Sequence, residues 1–376
     1  MKLASIKNDT RDGALAVVSR DLKRATLAYD VAPTLQAALD DWDYISPQLQ
    51  NLYDGLNRRD DSNQGGGGAG GGSRVFAFDA LQCAAPLPRA YQWLDADAYL
   101  SHAELLRRAR GAEMPPGVNE DRAKKDPMMV QGNSDYFIGP CDPIHAASED
   151  WGIDLEAEVA VVLGDVPAGI AHDKAGEYVR LFMLANDVSL RNLVPSDPNP
   201  SNAARNFGFI HARAATAFSP VAVTPDELGS AWDGRRLQRP VRVFVNEKLL
   251  GEPDCGTDMR FDYPHLIAHA ARTRPLGAGA VLAAGVISNS GHKAGFACIA
   301  EARAHQVSKK QDELTPWLRF GDRVRIDMTD AAGHSIFGAV DQLVVQHPLP
   351  RKRGEGGPDA AEEESSAMSG EADIEE

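Results

Sequence analysis

The chain has 376 residues, 43% of them hydrophobic, and a formal charge of −15, a balance that suits a soluble globular protein long enough for two domains. The acidic surplus speaks against a nucleic-acid backbone as partner, and no stretch reaches the roughly 20 apolar residues of a membrane span, so a cytoplasmic protein with neither partner is expected. Four cysteines, Cys83, Cys141, Cys255 and Cys298, lie far apart without a C-x-x-C pair; they read as free thiols and exclude a zinc knuckle or disulfide framework.

In chain order, "MKLASIKNDTRDGALAVV" reads as a strand and turn, because it lacks the apolar core of a signal peptide. Residues 1–75 are expected to form a small β-rich N-terminal domain. It ends in "DDSNQGGGGAGGGSR", residues 60–74, whose glycines offer nothing to bury and make a flexible connector. The competing idea, a phosphate-cradling loop, lacks the Lys-Ser/Thr that should follow. "DAYLSHAELLRRARG" places Leu100, Leu105 and Leu106 at helical spacing with Gly111 as a stop, and "YPHLIAHAAR" predicts a second helix. In "RPVRVFVNEKLLGEP", Val241, Val243 and Val245 alternate up to an Asn246-Glu247 turn, a hairpin pattern. "GAVLAAGVIS", "DRVRIDMTD" and "SIFGAVDQLVV" predict further strands. Regular β–α alternation is absent, so the fold class is α+β and mainly β, with a mixed β-sandwich roll over residues 76–350. Residues 351–376 are acidic and nearly free of large apolar side chains, and read as a disordered tail.

Inside that region, "WGIDLEAEVAVVLGD" carries Asp154, Glu156 and Glu158 at every second position, which puts all three on one face of a strand. A solvated sheet face would need no further reason for them. Yet the following run is apolar on both faces, so the acids lead into the core, where like charges need a cation or protons. A hard divalent ion is one answer. Asp187 closes the apolar run "LFMLAND", either as a strand-end turn or as an acid presented to a pocket.

Together, D-x-E-x-E, "ANDVSLR" about thirty residues on, "SPVAVTPDELG", "IAHAARTRPLGAGAVLAAGVISN", "CIAEAR" and "FGDRVRIDM" resemble, in family order, the signature of the fumarylacetoacetate hydrolase superfamily. The resemblance covers residues 80–348 or so. It implies a divalent cation, magnesium with calcium or manganese as alternatives, held by Glu156, Glu158, Asp187 and, seven residues before the active-site histidine His102, by Asp95. All-oxygen ligation fits those ions better than zinc or copper. On their own residues, Asp95 and Asp97 read equally as helix caps, His102 as a partly exposed helix histidine, and Glu301 as a surface partner of Arg303. The resemblance instead pairs Glu301 with His102, so that the carboxylate fixes the imidazole tautomer and the histidine activates water. It further implies a metal-dependent hydrolase that cleaves a carbon-carbon bond in a 1,3-diketo acid of fumarylacetoacetate or acylpyruvate type, acting as a homodimer. Relatives decarboxylate oxaloacetate or act on sugar acids through an enolate, and fold alone does not choose among these.

Three positions depart from the family pattern. Val130 stands where a tyrosine is expected, Arg213 where a lysine is, and Val286 where a threonine is. Arginine keeps the charge but is bulkier and does not donate a proton at neutral pH; valine keeps the shape of threonine without its hydroxyl. The departures leave two explanations: an enzyme with a shifted preference that grips a substrate carboxylate through Arg213 and Arg110, or a homologue that holds a cation without turnover.

Overall fold

The computed structural model describes residues 1–58, 75–109, 126–194 and 210–347. The glycine-rich connector, Arg110 and the acidic tail lie outside them. The described residues form a mainly β architecture of several mixed sheets. Eleven strands make the largest sheet, in the order β4-β3-β2-β1-β13-β10-β9-β16-β5-β6, with β12 also paired to β10. In chain order these are β1 (Lys2–Ile6), β2 (Ala14–Val18), β3 (Arg24–Leu27), β4 (Val75–Ala77), β5 (Trp93–Ala96), β6 (Met129–Gln131), β9 (Ala157–Leu163), β10 (Val179–Asn186), β12 (Ala217–Phe218), β13 (Ala222–Val223) and β16 (Val281–Ala283). The β1–β13 pairing joins the N-terminal strands to the rest through Lys2↔Val223 and Leu3↔Ala222. A second sheet, ordered β15-β14-β17-β18-β7, comprises β7 (Ile144–Ala146), β14 (Arg242–Val245), β15 (Lys248–Gly251), β17 (Arg323–Asp327) and β18 (Val340–Gln346); β8 (Ile153–Asp154) pairs with β11 (Ser189–Leu190). Among the described residues no helix is long and apolar enough to cross a membrane.

Strand β9 shows why its sequence is apolar on both faces: every residue from Ala157 to Leu163 is buried. Val159, Val161 and Leu163 pack into the larger core with Phe182, Tyr263 and Leu266. Ala160 and Val162 face a second core built with Leu3, Val17, Leu35, Leu39, Leu49 and Tyr53. Two sides are covered, so alternation of apolar with polar residues is lost. The cover on the second side comes from α1 (Leu35–Asp40) and α2 (Trp42–Arg58). Thr34 caps α1 by accepting the Ala37 N–H at 3.1 Å.

The hairpin expected at Asn246-Glu247 is present, with both residues at positive φ, 49° and 65°, as a two-residue turn between right-twisted strands requires. The two expected helices form α3 (Leu100–Ala109) and α4 (Tyr263–Ala270). Sequence reading did not identify α1 and α2; Pro47 lies inside α2 and reads as a helix breaker in isolation, whereas packing onto the second core holds the helix together.

Trp93, fully buried two residues before Asp95, stands edge-on to Phe218 at 5.4 Å, and Phe137 meets Phe218 at 4.9 Å. This aromatic floor supports the end of β5. Its closeness explains Gly132, where a Cβ would fall 2.0 Å from the Trp93 ring. Truncating Trp93 to alanine is expected to cost about 3–5 kcal/mol.

Candidate metal centre and catalytic pair

Three strand ends meet at one edge of the main sheet. β9 runs antiparallel to β10 and to β16, while β5 runs parallel to β16, so the ends of β5 and β10 lie beside the start of β9. The side-chain period then sets the face: Asp95 follows Trp93, Asp187 follows Met183 and Ala185, and Glu158 precedes Ala160 and Val162, all members of the second core. Asp95, Glu158 and Asp187 thus continue one apolar face past its end, and one carboxylate oxygen from each lies within 4.8 Å of the others. Gly285, at φ 82°, lets β16 leave this edge; a Cβ there would sit 2.1 Å from the Ala96 carbonyl.

Burial raises all three acids. Asp95 is pushed up to about 7 by burial, with Asp187 and Glu156 adding to the rise and Arg213 opposing it. Burial and the neighbouring Asp95, Asp187 and Glu156 hold Glu158 well above the usual carboxylate range, and burial raises Asp187 against the pull of Arg213. Thr216 Oγ1 donates to Asp187 Oδ1 at 2.6 Å. Glu158 Oε2 is buried without a hydrogen-bond partner, which a protein interior rarely tolerates. Hard oxygen donors, crowded negative charge and an unsatisfied carboxylate oxygen are what a divalent cation would neutralise, so these residues fit one.

Glu156 lies outside that trio of oxygens but close enough to raise all three acids. Arg191 donates to it and, through Nε, to Asp154 Oδ2 at 2.9 Å. Asp154 is fully buried and also accepts the N–H groups of Ile299 and Ala300, at 2.7 and 3.0 Å, at the start of α5 (Ile299–Ser308). The expected single row of three acids is therefore divided. Glu158 joins Asp95 and Asp187, whereas Asp154 anchors a helix and Glu156 shares its arginine. Sequence reading gave Asp154 and Arg191 no such role; the buried negative charge around Asp154 is the signal that called for a cation, and Arg191 follows in the "ANDVSLR" stretch.

Helix α5 carries Glu301, which is 1% exposed, so the surface pairing with Arg303 considered from sequence does not occur. Its Oε1 lies 3.8 Å from His102 Nδ1 on α3; such contacts are often long before substrate arrives. His102 Nδ1 and Glu301 Oε2 are both buried without hydrogen-bond partners. Burial alone would lower His102, but Glu301 and Asp97 outweigh it and raise the imidazole above its ordinary value. Ser288 Oγ donates to Glu301 Oε1 at 2.5 Å, and Ser101 Oγ donates to Ser288 Oγ at 2.8 Å. Cys298 accepts the Glu301 N–H at 3.4 Å, with burial pushing its thiol well above the usual range, so it acts as a neutral cap.

The positions expected to hold substrate differ among themselves. Arg213 reaches the acids directly: it donates to Asp187 and lies 2.9 Å from Asp95 Oδ2. Val130, opposite Asp95 on β6, is 42% exposed, whereas Val286 is buried. A cleft of about 520 Å³ opens beside α3 between Ser101, Arg236, Arg260 and His292. Glu104 and Asp258 line it but none of Asp95, Glu156, Glu158, Asp187 or Glu301 does, and its link to the site runs through Ser101 and Ser288.

Residues 92–345 match the family model of the fumarylacetoacetate hydrolase C-terminal domain, and residues 1–89 that of the fumarylacetoacetase N-terminal domain 2. The chain is 34% identical over 68 residues to the mitochondrial oxaloacetate tautomerase fahd2 of Xenopus laevis; the match covers 18% of this chain and only 21% of that protein. Its fold is similar to maleylpyruvate hydrolase from Sphingobium sp. SYK-6, solved with manganese(II) and pyruvate, at a TM-score of 0.57 and 16% identity over 92% of this chain and 99% of the other. It is equally similar, at a TM-score of 0.57 and 18% identity over 92% and 100%, to the fumarylacetoacetate hydrolase of the psychrophile Exiguobacterium antarcticum. With a family model matched across most of its length, this chain belongs to the fumarylacetoacetate hydrolase family.

Proposed function

We propose that the chain hydrolyses a carbon-carbon bond in a 1,3-diketo acid of fumarylacetoacetate or acylpyruvate type. One observation carries the reading: an oxygen-only cluster, Asp95, Glu158 and Asp187, with an unsatisfied buried oxygen, is tied to the His102–Glu301 pair by the chain itself, β5 running into α3 and Glu156 bridging Cys298 at the start of α5. A divalent cation bound by the cluster, with magnesium the expected ion, would supply Lewis-acid polarisation and charge neutralisation there. Glu301 faces Nδ1 of His102 and so keeps a proton on that nitrogen, leaving Nε2 as the base that deprotonates water. Ser288 donates to the same Glu301 oxygen and holds the carboxylate in place. Attack of water on one carbonyl then divides an acylpyruvate into a carboxylic acid and pyruvate.

The test is product analysis of the manganese-loaded protein with a panel of acylpyruvates, fumarylacetoacetate and oxaloacetate. Release of pyruvate or acetoacetate by the wild type and its loss in His102→Ala support the reading. Enol loss from oxaloacetate without cleavage of any diketo acid would place the chain among the tautomerases instead. A second reading is a cation-binding homologue without turnover, in which Arg213, held by Asp95 and Asp187, is not free to hold substrate.

A further inference from the structure

The guanidinium of Arg213 stands where a cation would have to bind. Its Nη1 serves both Asp187 Oδ2 and Asp95 Oδ2, and these two residues with Glu158 bring their carboxylate oxygens within 4.8 Å of one another. Asp187 Oδ1 is already engaged by Thr216, so Oδ2 is the oxygen that arginine and a metal ion must contest. One guanidinium does not satisfy the cluster, because Glu158 Oε2 keeps no hydrogen-bond partner. Arg191 cannot relieve it, being committed to Asp154 and Glu156. The two arginines also differ in access: the Arg213 side chain is 27% exposed, against 13% for Arg191. Arg213 is thus the more solvent-accessible of the two.

We propose that Arg213 is an exchangeable occupant of the cation seat, closing Asp95 and Asp187 when no divalent ion is present and released by the ion to take the carboxylate of an incoming keto acid. This rests on the reading of the cluster as a cation site and adds a competition to it. A cation and the guanidinium need the same lone pairs, so each lowers the other's occupancy. A keto acid gives the released guanidinium a planar, bidentate partner, so cation and keto acid strengthen each other's binding, reciprocally by linkage. A lysine at this position would be a single point of charge and a weaker competitor for two carboxylates.

The experiment is calorimetric titration of Mn²⁺ into the full chain, as wild type, Arg213→Lys and Arg213→Gln, with and without pyruvate. Arg213→Gln is expected to bind Mn²⁺ about 10- to 100-fold more tightly than wild type, the scale of one lost charge-assisted competitor, and to lose most of the enhancement by pyruvate. Arg213→Lys falls between the two, and its retained charge keeps the test open if the glutamine variant does not fold. Wild type and both variants binding Mn²⁺ with equal affinity would overturn the competition while leaving the cation site standing. Binding to none of the three would overturn both.

Discussion

Two arginines bridge pairs of acids at the same edge of the sheet, and they behave as opposites. Arg191 holds Asp154 and Glu156, and Asp154 is further fixed by two N–H groups at the start of α5. Arg213 holds Asp95 and Asp187 beside a third acid, Glu158, whose Oε2 has no partner. A buried ion pair with its lone pairs satisfied is a scaffold; one left partly unsatisfied is a place for something to bind. The Arg191 corner orients the helix that carries Glu301, and the Arg213 corner gathers the charge that a cation would neutralise.

The comparison is broken most severely at the scaffold. Arg191→Gln leaves Asp154 and Glu156 buried without their counter-charge, and about 3–5 kcal/mol of stability should be lost, read as a lower urea midpoint that Mn²⁺ does not restore. Arg213→Gln should also destabilise the apo protein, but there Mn²⁺ recovers the loss. Equal rescue of both variants would erase the distinction between the corners.

Catalysis is the next largest effect. His102→Ala should lower kcat by about 10²- to 10⁴-fold, the range for a lost general base, with Mn²⁺ affinity unchanged by calorimetry. Glu158→Gln should move two readouts in opposite directions. Removing an uncompensated buried carboxyl raises the melting temperature of the apo protein, while the Mn²⁺-induced shift in melting temperature disappears. A retained shift would assign the ion to other residues.

The smallest effects concern pH. His102 is raised in the folded state, so the pair with Glu301 stabilises the fold fully below the unfolded histidine value of about 6.5 and loses that contribution as pH climbs through the raised native value. His102→Ala should therefore cost more melting temperature at acidic than at alkaline pH. As the base must be neutral, kcat/KM should rise with pH to a plateau above the same raised value. Ser288→Ala removes a donor from Glu301, leaving more of the carboxylate's negative charge to His102, and should move that limb to higher pH without changing Mn²⁺ binding.

Much of the carboxylate cluster is legible in the sequence, because strand period and strand ends are local properties. Asp95 follows only from its family spacing to His102, whereas Glu158 and Asp187 lie on or directly after apolar runs. The hairpin at Asn246-Glu247 is legible for the same reason. What the sequence hides is long-range. Asp154 caps a helix that begins 145 residues later, and Ser288 reaches Glu301 only because the β16 exit and α5 are folded together. The division of the acids between two arginines is hidden too: period alone places Asp154, Glu156 and Glu158 on one face, and only the interruption between β8 and β9 separates them. Arg213 shows the limit of residue-by-residue transfer. Its position suggests a grip on substrate, while its atoms contact the acids that would hold the ion.

The most direct measurement is anomalous diffraction at the manganese edge from crystals of the full chain grown with Mn²⁺ and pyruvate. The account predicts one manganese peak within about 2.0–2.6 Å of carboxylate oxygens from Asp95, Glu158 and Asp187, with the Arg213 guanidinium turned from Asp95 and Asp187 toward the pyruvate carboxylate. A peak elsewhere, or Arg213 still clasping both aspartates with no manganese between the three acids, would contradict it.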